Sequence, residues 1–171
     1  MPESLRASGS SEPDGLSHID EHGSAHMVDV SAKQATAREA VAAGRFVTTP
    51  DVIELLTGTA AGTLPKGDAI ATARLAAIMA AKRTSELIPL CHQVPLTGID
   101  VDFDIADSHI DITAVARTND RTGVEMEALT AVAVAGLTLH DMVKAVDPAS
   151  RIDDVRVLRK EGGKTGTWTR P

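Results

Sequence analysis

Hydrophobic and polar positions alternate most regularly in the middle of the chain. Ile99, Val101, Phe103 and Ile105 interleave with Asp100, Asp102 and Asp104, and Ile110, Ile112, Ala114 and Ala116 follow after Asp107-Ser108. A strict period of two with a turn between the runs predicts an antiparallel strand pair, one face acidic and wet, the other buried. Upstream the pattern becomes helical. Ala32 to Ala43 reads as a short helix closed by Gly44, and Thr49-Pro50-Asp51 opens another through Leu56. Gly58 to Gly67 reads as a loop. From Asp68, a plausible N-cap, an Ala-rich helix is expected to about Leu87, before Pro89. Downstream, Thr122-x-x-Glu125 has capping-box spacing, and a second long helix is expected to about Val146, before Pro148. Its middle, Ala128 to His140, has no formal charge, so most of its circumference should be covered. A last strand is expected near Val155 to Leu158. Helices on one face of a largely antiparallel sheet make an α+β sandwich of ferredoxin-like type.

The 171 residues suit one domain, with residues 1–15, rich in Ser, Gly, Pro and acid, expected as a disordered tail and 16–171 as a single folded unit. The only aromatics are Phe46, Phe103 and Trp168, which argues against a stacking platform for single-stranded nucleic acid. The net charge of −7 argues against a general phosphate-backbone binder. A lone Cys91 excludes an intramolecular disulfide and a Cys-based zinc finger, and fits a reducing cytoplasm. The longest apolar runs, Leu75 to Ala81 and Ala131 to Leu137, are too short to span a bilayer, and the acidic N-terminus does not read as a signal peptide. Charge is uneven: residues 1–22 carry five acids against Arg6, whereas residues 156–171 carry five bases against Glu161. A small anionic ligand suits that basic end.

Several features can carry chemistry, each with a plainer reading beside it. His18, His22 and His26 are spaced for one helical stripe, but Gly23 interrupts it and no second ligand cluster accompanies it, so no metal site is expected. Gly163-Lys164-Thr165 echoes a phosphate loop, yet Leu158 stands where that motif requires Gly. The lysine either closes over an anion or belongs to a solvated tail. Cys91-His92 is either a reactive pair or a small buried hydrophobe beside a histidine, since sequence neighbours rarely face each other. Glu125 and Glu127 complement a helix N-terminus. Asp141 and Lys144 form an i, i+3 surface pair or, following an uncharged stretch, a partly desolvated acid–base pair.

In order along the chain stand Met27-Val28-Asp29-Val30, Lys66-Gly67-Asp68, Ala80-Ala81-Lys82-Arg83-Thr84, Leu87-Ile88-Pro89-Leu90-Cys91-His92, Gly123-Val124-Glu125-Met126-Glu127-Ala128-Leu129-Thr130 and Gly162-Gly163-Lys164-Thr165-Gly166. With these six blocks in register over residues 16–166, the chain resembles the cyclic pyranopterin monophosphate synthases, the molybdenum-cofactor biosynthesis protein C family. The resemblance implies a lyase that converts 3′,8-cyclo-7,8-dihydroguanosine 5′-triphosphate to cyclic pyranopterin monophosphate and releases pyrophosphate. It also implies a ferredoxin-like fold, a cytoplasmic homohexamer built as a trimer of dimers, and no redox cofactor. Position by position, the catalytic residues fall on Asp141, Lys144 and Lys66. Substrate-binding positions fall on Leu90, Cys91, His92, Met126 and Glu127, with Glu125, Lys160, Lys164 and Arg38 as further functional positions. Two departures stand beside these: His140 where a Tyr usually precedes the aspartate, and Gln93 where a Pro usually follows the histidine. Neither replaces a catalytic position.

Binding without catalysis, as a nucleotide-binding regulatory module with the basic C-terminus as its anion clamp, is the alternative of another class; it has no need of the Asp141/Lys144 pair. The segment Gly162 to Gly166 is expected to be a mobile flap over phosphates. Glu127 and Asp141, fourteen residues apart on one predicted helix, would be separated by about 21 Å along its axis. A single nucleotide is not expected to touch both ends of one copy, so the resemblance places the sites between subunits.

Overall fold

The structure, a computed structural model, describes residues 24–58, 64, 68–164 and 166–171. The expected tail at 1–15, His18 and His22, and most of the expected loop at 58–67, Lys66 included, lie outside the described residues.

Among the described residues, five strands form one sheet, β1 (Thr36–Val47), β2 (Leu96–Ile105), β3 (His109–Asp120), β4 (Arg151–Glu161) and β5 (Trp168–Thr169), in the order β2-β3-β1-β4-β5. Every pairing is antiparallel. The helices are α1 (Pro50–Thr57), α2 (Ala69–Ala81), α3 (Thr84–Leu87) and α4 (Glu125–Val143). Helix α4 lies across β1, β3 and β4, and α2 packs on α4 and β2, so both long helices cover the same face. The α+β class with one helical layer is as the periodicity implied.

The segment expected as the helix Ala32 to Ala43 is instead the central strand β1. Ala40, Ala42, Gly44 and Phe46 are buried in alternation, beneath α4, while Arg45 is exposed on the other face. Alanine favours helix when alone, but here small side chains let α4 approach the sheet, and pairing on both edges outweighs propensity. The approach is close at Gly136 of α4, where a Cβ would sit 2.8 Å from the Ile152 side chain.

The helix expected from Asp68 to Leu87 begins as expected, with the Asp68 carboxylate accepting from Ala71 N at 2.9 Å. It is not continuous. Arg83 leaves helical geometry (φ −116°, ψ 16°), and the buried Thr84 hydroxyl donates to Ala81 O at 3.0 Å, so α3 starts afresh. The capping box at Thr122 does not form: α4 starts at Glu125 after Val124, with no side-chain cap, because the Glu125 carboxylate faces Lys160 at 3.3 Å. The helix ends at Val143 rather than Val146. By length and composition α4 alone, among the described residues, is apolar enough to cross a membrane. Its buried residues Ala128, Ala131, Val132, Ala135, Leu139 and Val143 make it the central core helix instead.

On the face away from the helices, charge replaces apolar packing. Arg117 bridges Asp100 (2.5 Å) and Glu39 (2.8 Å), and Arg159 joins Glu39 (2.6 Å) and Glu161. The row crosses β2, β3, β1 and β4, which fixes their register from the solvent side.

Candidate functional site

One cavity lies at the N-terminus of α4, and an ion pair links it to a second. The first, about 190 Å³, is lined by Leu90, Cys91, His92, Val94, Thr122, Gly123, Glu125, Met126 and Glu127. The turn after α3 supplies its first side and the first turn of α4 its second. All six substrate-binding candidates at 90–92 and 125–127 therefore converge. The cavity is smaller than a usual ligand pocket of ~300–1,000 Å³, so it admits a heterocycle but not a whole nucleotide.

Its polar groups are held in defined states. His92 Nε2 donates to Val28 O at 2.7 Å, which ties the Met27-Val28-Asp29-Val30 block to the cavity. Glu127 is only 4% exposed. Burial pushes its carboxyl from 4.5 up to about 7, and Glu125 adds to the rise, partly opposed by a backbone hydrogen bond. Burial, then the Glu127 charge, also raises the Cys91 thiol. A thiol raised in this way stays protonated near neutrality, so Cys91 packs against the site rather than serving as a thiolate nucleophile.

The second cavity, about 610 Å³, is lined by Lys33, Gln34, Thr36, Arg38, Lys160, Gly163 and Lys164. Four of these are cationic and none is acidic, an environment for an anion. Thr36 and Arg38 share this wall because β1 is a strand with a two-residue period, and Ala40 next along that face pairs with Lys160 across β4. Arg38 is fixed in place, with Nε donating to Asp120 O (2.8 Å) and Nη2 to Arg121 O (3.0 Å). Gly162 turns the chain above it at φ +90°, where a Cβ would stand 2.3 Å from Ala37 O, so only glycine fits. The Glu125–Lys160 pair joins the two cavities, since each contains one partner.

Lys33, Gln34 and Thr36 were not anticipated. Thr36 lies in β1, a strand that the helical reading of Ala32 to Ala43 concealed, and Lys33 and Gln34 stand in the turn that leads into it.

Asp141 and Lys144 are elsewhere. They pair at 2.7 Å at the far end of α4, with side chains 54% and 53% exposed, so within one chain the expected partial desolvation is absent. Helix α4 runs unbroken between Glu127 and Asp141, and fourteen residues at 1.5 Å each set them about 21 Å apart along the axis. An exposed pair of this kind adds less than about 1 kcal/mol to stability, so the fold does not depend on it.

A family model described as the MoaC family matches residues 27–163, which include the first cavity, all of the second but Lys164, and the Asp141/Lys144 pair. This chain belongs to the MoaC family. Among curated relatives, the cyclic pyranopterin monophosphate synthase 2 of Mycobacterium tuberculosis is 64% identical over 167 residues, covering 96% of this chain and 98% of the relative. The cyclic pyranopterin monophosphate synthase of Streptomyces coelicolor is 60% identical over 163 residues (95% and 94%), and that of Chloroflexus aurantiacus 53% over 158 residues (91% and 95%). Within this MoaC-family chain, the matched span begins at Met27, whose block anchors His92, and ends at Gly163 beside Arg38.

Proposed function

We propose that this chain converts 3′,8-cyclo-7,8-dihydroguanosine 5′-triphosphate to cyclic pyranopterin monophosphate and pyrophosphate, a phosphorus–oxygen lyase step of molybdenum cofactor biosynthesis. The observation that carries this reading is the junction of a small cavity for a heterocycle with a cationic cavity, joined by Glu125 and Lys160. The heterocycle would contact Leu90, Cys91, His92, Met126 and Glu127, and the triphosphate Arg38, Lys160 and Lys164.

Closing the cyclic phosphate requires a substrate hydroxyl to attack the α-phosphorus. A P–O bond forms, the bond to the bridging oxygen breaks, pyrophosphate leaves, and the hydroxyl proton passes to a base. Cations around the phosphates stabilise the departing charge. Rearranging the purine into a pterin adds ring opening and reclosure, hence further proton transfers, which Asp141, Lys144 and Lys66 would perform. The electrons balance without a redox partner.

The 21 Å along α4 supports sites shared between subunits, with Glu127 from one chain opposite Asp141 and Lys144 of a neighbour. Burial there would supply the desolvation that the single chain lacks. Leu75 (61% exposed) and Met79 on α2 and Leu137 (60%) on α4 support an association through the helical layer. A homohexamer, as a trimer of dimers, acting in the cytoplasm is the assembly proposed. The ferredoxin-like assignment within the α+β class is supported by the path β1, helices, β2, β3, α4, β4.

The test is incubation of the purified protein with the cyclised GTP intermediate. Pyrophosphate release in step with cyclic pyranopterin monophosphate is expected; nucleotide binding without release would reduce the chain to a binding module.

A further inference from the structure

The C-terminal end of α4 holds a polar cluster that the chemistry above does not use. Thr48, Asp147 and Ser150 are buried. Thr48 Oγ1 donates to Asp147 Oδ2 at 2.8 Å, and Ala149 N donates to Asp147 Oδ1 at 3.1 Å. The Ser150 hydroxyl donates to Asp147 O at 3.0 Å, and His140 Nδ1 lies 2.8 Å from Ser150 Oγ.

This arrangement decides a tautomer. Ser150 has one hydroxyl proton, and a carbonyl oxygen only accepts, so that proton is committed to Asp147 O. His140 Nδ1 must therefore be the donor to Ser150 Oγ. A neutral imidazole has a single N–H, which leaves Nε2 as a bare acceptor. Thr48 Oγ1 and Ala149 N hold the buried Asp147 carboxylate, and Asp147 O and His140 Nδ1 hold the Ser150 hydroxyl.

His140 directly precedes Asp141 and stands one helical turn before Lys144, whose backbone N–H bonds to His140 O at 2.9 Å. Side chains at i and i+4 are neighbours on a helix. We propose that His140 is a positioning residue for the Asp141/Lys144 pair: held as the Nδ1–H tautomer by Ser150, it offers Nε2 as a second acceptor to the Lys144 ammonium. This rests on the acid–base reading of that pair. When Asp141 takes up a proton it loses its hold on Lys144, and Nε2 keeps the ammonium in place until the proton moves on.

Long-range proton–nitrogen NMR of the full-length protein with labelled histidine tests the tautomer, with His140→Phe assigning the signals. The wild type should show a protonated Nδ1 and a bare Nε2 for His140, and Ser150→Ala should shift the ring toward the Nε2–H form. In pyrophosphate-release kinetics, Ser150→Ala and His140→Phe should lower kcat about tenfold or more, with KM within about twofold. Ser150→Ala retains the ring, so it decides the matter if His140→Phe does not fold. An Nε2–H wild-type ring, or unchanged kcat in folded Ser150→Ala, overturns the proposal. Failure of the functional reading looks different, because the wild type itself then releases no pyrophosphate and the positioning role falls with it.

Discussion

Replacing Glu127 by Gln isolates the energetic cost of placing a carboxyl on the cavity wall. In the folded chain burial lifts this group from 4.5 to about 7, with Glu125 adding to the effect. An unfolded chain returns it to the ordinary range of about 4.3. The folded state thus holds the proton more tightly than the unfolded state. The corresponding stability is fully present below about pH 4.5, declines as pH rises toward 7, and is gone above it. One pKa unit corresponds to about 1.4 kcal/mol, so this rise amounts to about 3–4 kcal/mol as an upper bound. Gln keeps the shape and removes the titration. Urea unfolding at several pH values and one fixed protomer concentration measures the difference. The two proteins should be closest near pH 4.5, and by about pH 8 the Gln variant should be more stable by ~2–3 kcal/mol. Parallel profiles, or a wild type that gains on the variant as pH rises, would refute the reasoning.

Asp141→Ala and Lys144→Ala should each reduce pyrophosphate release by about 10²–10⁴-fold while the melting temperature of the single chain barely moves, because the pair is exposed; near-normal turnover contradicts the acid–base role. Lys160→Ala should weaken binding of a nucleoside triphosphate about tenfold and leave the unphosphorylated nucleoside unaffected, as calorimetry can show, and an equal loss for both would place Lys160 at the heterocycle instead. Gly162→Ala should cost about 1–3 kcal/mol in chemical unfolding, since the residue sits at φ +90° with its Cβ direction blocked by Ala37 O; an unchanged midpoint would mean that the turn relaxes freely.

The strands β2 and β3 were legible because their alternation is unbroken, and in β2 the outward Asp100, Asp102 and Asp104 mark a solvated face. Strand β1 was not, because its inward residues are alanine and glycine, sizes dictated by the helix above them and invisible without it. Lys82-Arg83-Thr84 contains neither Gly nor Pro, so the break between α2 and α3 had no local marker; a buried threonine hydroxyl makes it. Thr122 and Glu125 had capping spacing, but Lys160, distant in sequence, takes the glutamate. β5 pairs only at Trp168 and Thr169, too short for any periodicity. In the site, the first cavity was readable because its residues occupy two contiguous blocks, Leu90-Cys91-His92 and Glu125-Met126-Glu127. The second depends on strand register across β1 and β4 and on the turn before β1, so Lys33 and Thr36 emerged only from the fold. The Gly162 to Gly166 segment, expected as a flap, lies against Arg38 at Gly163 and is followed by β5, after which Arg170 N donates to Leu158 O at 2.8 Å. Truncation there would thus remove an edge strand as well as charge.

We propose that the cavity at one end of α4 and the Asp141/Lys144 pair at the other act in one site contributed by two chains. Mixing inactive Glu127→Ala with inactive Asp141→Ala under conditions of subunit exchange measures this directly. A two-fold interface holds two equivalent sites, and in a mixed dimer one of them has all its residues. Pyrophosphate release should recover to as much as about half the wild-type rate per mixed dimer. No recovery, with exchange verified by mass-labelled subunits, would mean that each site is built within a single chain.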